Sequence, residues 1–417
     1  MNRTRLLFLG AVLLLSSFQL MADSIKLGLN YPQTGRYKDQ GLQQRLGAFL
    51  AVEEINNTGG IMGRPVELII RNTTGDPARG AANTAELIDD EGVDMVFGGS
   101  SSAVTIASGK VARDRGRIYF GAQTSSNATT GSEGHTHMFR EYPNAWMTAS
   151  ALGKYLKANF ANDEYFYLTA DYIWGWSTEE SVRRFTDTEN VQDHGRALTP
   201  FPDAYISDFS AALEQAAASD ATVLVLVLFG DDMVRALRLV HEMGLKERMQ
   251  IVVPNITLGM AKKVGATIME GVIATTPWEW MIPYQFDFAR GQAFVESFSN
   301  QFDLRPSSTA ATAYSIVYQY KDAVERAGTT RTDALIRELE GHSYSLLKDT
   351  QQWRDFDHQN LQTVYVVRSK PREQVVVDDM RSDFFEVVDS ISGLEAAQTL
   401  EQWQQERRAA NKPLTLQ

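Results

Sequence analysis

The sequence predicts an α/β protein built on two open, mostly parallel sheets, and three features of its 417 residues carry that expectation. Short runs rich in β-branched and aromatic residues alternate with amphipathic helical stretches from residue 25 to 120. The alternation starts afresh after Pro143. Runs such as Val223-Leu224-Val225-Leu226-Val227-Leu228 have no polar face, as strands covered by helices on both sides require. Two rounds of alternation mean two sheets.

Ile25-Lys26-Leu27-Gly28-Leu29 reads as the first strand. A helix over 43–57 follows, because Leu46, Phe49, Leu50, Val52 and Ile55 fall at helical spacing and Asn57-Thr58-Gly59-Gly60 stops it. Strands at 66–70, 95–97 and 118–120 then alternate with helices at 78–90 and 103–115. Beyond Pro143 come strands at 165–169, 222–229, 250–253 and 271–274, with helices at 178–185, 207–219 and 232–243. Long helical patterns follow at 291–302, 309–327 and 332–340, then a late strand at 364–368. The tail from Phe384 to Gln417 sets Leu394, Ala397, Leu400 and Trp403 near helical spacing and is expected as an added helix.

With 40 Lys+Arg against 52 Asp+Glu, a net charge of −12 and no basic run, the chain has nothing to neutralise a row of phosphates, which excludes nucleic acid as a partner. Its 43% of hydrophobic residues suffices for two cores. Residues 1–22 differ in kind: Arg3 and Arg5, an apolar run from Leu6 to Leu15, then small and polar residues ending at Ala22 before Asp23. That pattern reads as a cleaved secretory signal peptide, since a membrane span needs about 18 or more apolar residues. Cysteine is absent, so there is no disulfide, no thiolate metal site, no Cys nucleophile and no Cys at the cleavage point to carry a lipid. An exported protein without a lipid anchor fits a Gram-negative periplasm.

Enzymatic signatures are missing. There is no Gly-x-Ser-x-Gly elbow, no phosphate loop and no Gly-x-Gly-x-x-Gly after the first strand. His135 and His137 form a lone pair in a polar stretch that reads as a solvated loop, short of a zinc ligand set. Asp355-Phe356-Asp357-His358 lacks the Gly and terminal Glu of a calcium loop and reads as a turn before a strand. No catalytic residue, metal or cofactor is expected.

The informative segment is Phe97-Gly98-Gly99-Ser100-Ser101-Ser102-Ala103, where a strand end runs through glycines and hydroxyls into a helix start. Ligands of open α/β sheets bind beyond such carboxyl ends, and a helix N-terminus offers free N–H groups to an acceptor. A second strand end, Gly121-Ala122-Gln123-Thr124-Ser125-Ser126, offers the same kinds of group from the neighbouring strand.

On these residues the chain resembles the periplasmic solute-binding proteins of the branched-chain and hydrophobic amino-acid ABC importers. The other markers are Pro32-Gln33-Thr34-Gly35, Ala51-Val52-Glu53-Glu54-Ile55-Asn56, Gly59-Gly60-Ile61-Met62-Gly63-Arg64, Gly75-Asp76-Pro77, Asp208-Phe209-Ser210-Ala211, Gly271-Val272 and Ala313-Tyr314. The resemblance implies the type I periplasmic-binding fold, two open doubly wound α/β lobes joined by a three-strand hinge. It places lobe one at 24–143 plus 277–352 and lobe two at 144–276 plus 353–380, with 381–417 as a C-terminal helical extension. It further implies a monomer that captures a small solute by lobe closure and hands it to membrane permease subunits.

The family's hydroxyl groups for an α-carboxylate fall on Ser100, Ser101, Ser102 and Thr124, with Ala122 and Gln123 beside them. Its Asp for the α-ammonium aligns with Ala145, next to Asn144, and its Glu on the second lobe aligns with Asn255. A buried ammonium without a counter-charge costs several kcal/mol, so a zwitterionic amino acid fits poorly. The family's tyrosine of the second lobe aligns with Trp174, beside Tyr172 and Trp176; with Trp278 and Trp280 at the second crossover, four Trp are expected near the cleft as a stacking wall or cation cage. Asp171-Tyr172 and Asp357-His358-Gln359 are similar to the urea and short-chain amide branch. The expected ligand is a small polar or amphipathic solute: amino acid-like, an amide, urea or a small carboxylate. The alternatives are a ligand-presenting sensor and, against the missing elbow, a secreted α/β hydrolase.

Overall fold

The computed structural model describes residues 23–417; the expected signal peptide lies outside them. Fifteen strands occur among the described residues. They are β1 (Ile25–Tyr31), β2 (Val66–Asn72), β3 (Met95–Gly98), β4 (Ile118–Gly121), β5 (Met138–Arg140), β6 (Tyr165–Ala170), β7 (Gly195–Thr199), β8 (Val223–Val227), β9 (Gln250–Val253), β10 (Ile273–Thr276), β11 (Ser343–Tyr344), β12 (Gln351–Trp353), β13 (Asn360–Leu361), β14 (Val364–Ser369) and β15 (Phe385–Ile391).

β2-β1-β3-β4-β5 form one parallel sheet, with Leu27 opposite Leu68 and Met95, and Leu29 opposite Ile70 and Phe97. β15-β14-β10-β9-β8-β6-β7 form a second, parallel from β7 to β10 and antiparallel at β14 and β15. Every side chain of β8 is buried, as its unbroken Val/Leu run requires. On lobe one the helix Lys38–Asn57 packs against Ser308–Ala327, and a Cβ at Gly47 would stand 2.1 Å from the Ala310 carbonyl oxygen, so glycine sets how closely these helices cross.

The chain passes between the lobes after β5, after β10 and after β12, with the small antiparallel sheet β11-β12-β13 at the third passage. Trp353 on β12 packs edge-on to Phe120 and Phe139 of lobe one. Buried charge gathers at this hinge. Glu141 accepts hydrogen bonds from Tyr344 Oη at 2.9 Å, and Lys348 Nζ donates to the carbonyls of Pro277 at 2.6 Å and Thr363 at 2.8 Å.

Several local expectations need correction. The 381–417 segment is not wholly helical: it carries β15, an edge strand of lobe two, before the short helix Gly393–Ala396 and the helix Leu400–Ala409. That helix docks on lobe one through Trp403, whose Nε1 donates to the Thr130 carbonyl, and Arg407, whose Nη1 donates to Gly131 O. The tail is thus a fourth tie between lobes. The helix Ala145–Phe160 was not expected, because residues 147–152 are buried on all sides and show no polar face. The His135–His137 stretch is a loop, but it is not solvated: His135 is buried, and burial pushes its pKa down to about 3, leaving the ring neutral.

Candidate functional site

The strand ends of both sheets meet at a pocket between the lobes. β3 ends at Gly98 with φ +127°, where a Cβ would stand 2.5 Å from the Asn30 carbonyl oxygen, so the chain can turn here only as glycine. It runs through Gly99 to Ser101 into the helix Ser102–Asp114. Lobe one contributes Ser100, Ser102, Gln123 and Ser125 to the lining; lobe two contributes Tyr172, Trp174, Phe229 and Asn255. Six of these eight, all but Ser125 and Phe229, were expected from the sequence. The space between them is ≈ 20 Å³, room for about one water. A larger solute therefore enters only as the lobes part.

Gln44 Nε2 donates to Ser100 Oγ at 2.8 Å and to Gly99 O at 2.9 Å, so Ser100 keeps its own proton to give. Asn255 Oδ1 accepts from Tyr142 Oη at 3.0 Å; burial pushes that phenol up to about 12, so it stays a neutral donor. Gln123 Oε1, Gln123 Nε2 and Ser125 Oγ are buried with no hydrogen-bond partner. Each such atom costs about 1–3 kcal/mol, and together they offer one donor-acceptor amide edge and one hydroxyl. The other wall is aromatic: Tyr172 stacks on Phe201 at 3.8 Å and 11°, and Trp174 meets Phe229 edge-on at 6.1 Å.

No charged residue lines this pocket. Ion pairs bridge the cleft outside it. Arg36 of lobe one pairs with Asp232 of lobe two at 2.7 Å; burial pushes the Asp232 carboxyl up, against the pull of the guanidinium. Lys263 of lobe two pairs with Asp39 of lobe one and with Asp231 at 2.8 Å.

The remaining expected site residues lie elsewhere. Ser101 faces the outer cleft. Ala122 is fully buried and its backbone N–H is taken up by Gly98 O. Thr124 Oγ1 bonds Ser102 Oγ at 3.2 Å and Thr129 Oγ1 at 2.9 Å, so it braces Ser102 instead of lining the pocket. Asn144 caps the helix Ala145–Phe160, its Oδ1 accepting from Met147 N. Trp278 packs on Phe294 and lines a separate small cavity at the hinge with Glu141 and Lys348. Trp280 lies against Arg305 and donates to Ser382 O. The four-tryptophan wall is thus reduced to Trp174, with Trp176 outside at the mouth.

Two α/β lobes that close on a pocket of buried, unpaired neutral groups define a solute-binding protein. The family model described as periplasmic binding protein matches residues 24–374, and the chain belongs to that family. A relative is the leucine-, isoleucine-, valine-, threonine- and alanine-binding protein of Pseudomonas aeruginosa, 23% identical over 343 residues, 82% of this chain and 88% of that one. Among solved structures, a periplasmic binding protein from Burkholderia mallei superposes with a TM-score of 0.82 at 23% identity, covering 91% of this chain and 98% of the other. A branched-chain amino acid transporter substrate binding protein from Streptococcus pneumoniae, in complex with isoleucine, gives 0.73 at 18% identity, covering 89% and 99%.

Proposed function

We propose that this protein captures a small neutral polar solute between its lobes in the periplasm and presents the closed complex to the permease subunits of an ABC importer. The observation that carries the ligand assignment is the pocket's lining: eight uncharged residues, with both polar atoms of the Gln123 amide and the Ser125 hydroxyl buried and unpaired. A neutral amide or urea-type group satisfies those atoms without bringing a charge into the pocket. Leucine, isoleucine and valine, after which relatives are named, are zwitterions, whereas the family resemblance aligns its two ligand-facing acids with the uncharged Ala145 and Asn255. Closure follows ligand contact because Tyr172, Trp174 and Asn255 reach the solute only when lobe two swings in. The protein acts as a monomer and leaves its ligand unchanged.

Thermal shift of the purified chain from Asp23 tests this against urea, short amides, aromatic acids, quaternary amines and branched-chain amino acids. Saturation at 100 times Kd adds about 2.7 kcal/mol of stability. A shift with urea or amides supports the reading, and a shift with leucine, isoleucine or valine alone contradicts it.

A further inference from the structure

Outside the polar pocket, the closed lobes leave a second and much larger space of ≈ 870 Å³, lined from lobe one by Thr74 to Pro77 and the helix Ser102–Asp114, and from lobe two by Tyr172, Ile173, Trp176, Phe201 and Pro202. On the helix, Ala103, Ile106, Ala107 and Lys110 follow one another at i, i+3, i+4 and i+7 on the cleft side. The opposite side of the same helix, with Val104, Thr105, Ser108 and Ala112, already faces the core. A solvated helix face carries charges at such positions; here the first two turns carry small and aliphatic side chains. Across the gap Trp176 is 52% exposed, although large aromatic side chains are ordinarily well buried.

Most of the charged groups around this space are already engaged within the protein. Lys110 pairs with Glu133 at 2.6 Å and Arg36 with Asp232 at 2.7 Å; Asp171 accepts from Trp176 Nε1 at 2.8 Å; Asp76 caps its helix by accepting from Arg79 N. Apart from the Ser101 hydroxyl, what the walls offer a ligand is mainly apolar surface. Tyr172 lines both spaces, and Ser101, which lines the outer one, lies between the pocket residues Ser100 and Ser102, so the two are adjoining parts of one cleft. With room for about one water within and a volume typical of a ligand site without, the bulk of any solute held by the closed lobes belongs outside.

We infer that the solute is amphipathic: a compact neutral head held by Ser100, Gln123, Ser125 and Asn255, and an apolar body the size of a phenyl ring or larger, seated between Ile106 and Ala107 of lobe one and Tyr172, Trp176 and Phe201 of lobe two. This rests on the neutral-head reading above and adds the class of the body. It makes Trp176 and Ile106 specificity residues of the outer cleft.

The test is titration calorimetry on the purified chain with primary amides from acetamide to octanamide and with the carboxylates of equal length. Affinity for the amides is expected to rise by up to about fourfold per added methylene. Trp176→Ser and Ile106→Ser are each expected to flatten that rise, with a loss of affinity that grows with chain length and is smallest for acetamide; both residues are at least partly exposed, so the variants keep the core intact. Amide binding that is indifferent to chain length, or a rise that both variants retain, overturns the inference and leaves the neutral head standing. A length-dependent rise among carboxylates but not amides retains the outer site and overturns the neutral head. If no member of either series binds, both fall.

Discussion

Arg36, on the loop after β1, meets Asp232, at the start of the helix Asp231–Glu242, at 2.7 Å across the cleft between the lobes. The pair joins lobe one to lobe two at the mouth of the pocket, and Gly230, just before it, lies against Tyr37: a Cβ on Gly230 would come within 2.8 Å of that ring. An ion pair thus bridges the cleft beside a contact that admits no extra methyl.

Breaking the pair favours the open form. Asp232→Asn is expected to shift the open–closed balance of the ligand-free protein by about 1–2 kcal/mol, between the values for exposed and buried pairs because Arg36 is partly exposed. The chain has no cysteine, so Arg79→Cys on lobe one and Glu214→Cys on lobe two give a spin-label pair whose distance distribution reports the lobe separation. An unchanged distribution in Asp232→Asn removes the pair from the closing mechanism.

Gln123 separates binding from folding. Its amide is buried with no partner inside the protein, so Gln123→Leu is expected to hold or raise thermal stability while weakening solute binding by about 1–3 kcal/mol. Thr124→Ala is expected to act the other way round, costing stability by unbracing Ser102 and Thr129. Melting curves and calorimetry on the two variants read both effects.

The hinge makes stability depend on pH. Burial pushes the Glu141 carboxyl up to about 7 from its usual 4.5, and Lys348, beside it, down to about 8. A raised carboxylate pKa means that folding takes up a proton between the two values, so its contribution is complete below about pH 4.5 and is lost as pH rises through 7. Glu141→Gln removes that dependence. It is expected to exceed the parent in stability above pH 7 by an amount on the order of a few kcal/mol, checked by urea unfolding at pH 5 and pH 8. Equal pH profiles in parent and variant contradict the assignment.

The tail holds both lobes. Trp403 is buried against Phe356, with its rings 5.4 Å apart, and donates to lobe one, while β15 pairs with β14 in lobe two. Trp403→Ala is expected to cost about 3–5 kcal/mol and to broaden the spin-label distance distribution. Loss of stability with no change in lobe separation would make the tail a local brace only.

How much of this could be read in advance follows from burial. Most alternating elements of lobe one were legible because the helices Pro77–Asp89 and Ser102–Asp114 each keep an apolar side, the helix Lys38–Asn57 ends at a Gly-Gly stop, and β1 to β4 are short β-rich runs. The helix Ala145–Phe160 was hidden because its first half is buried all round, erasing the helical period, although Asn144 marked its start as a cap. β5 spans three residues and ends in the charged Arg140, and β15 is an edge strand carrying Glu386 and Asp389, so neither has the signature of a covered strand. In the pocket, Ser100, Ser102 and Gln123 followed from strand ends running into loops. Phe229, just beyond the end of β8, satisfies the same rule and was passed over as part of the strand. Which hydroxyl lines the pocket and which braces its neighbour, Ser102 or Thr124, depends on a hydrogen bond between a helix start and a loop and has no trace in the order of residues.

The most direct measurement is calorimetric titration of the purified chain with a neutral amide and, in parallel, with leucine. Saturable binding of the amide, with the ligand recovered unchanged and leucine silent, is the expected result. Tight binding of leucine with no response to any neutral amide, or turnover of the amide into product, would contradict a neutral-solute trap.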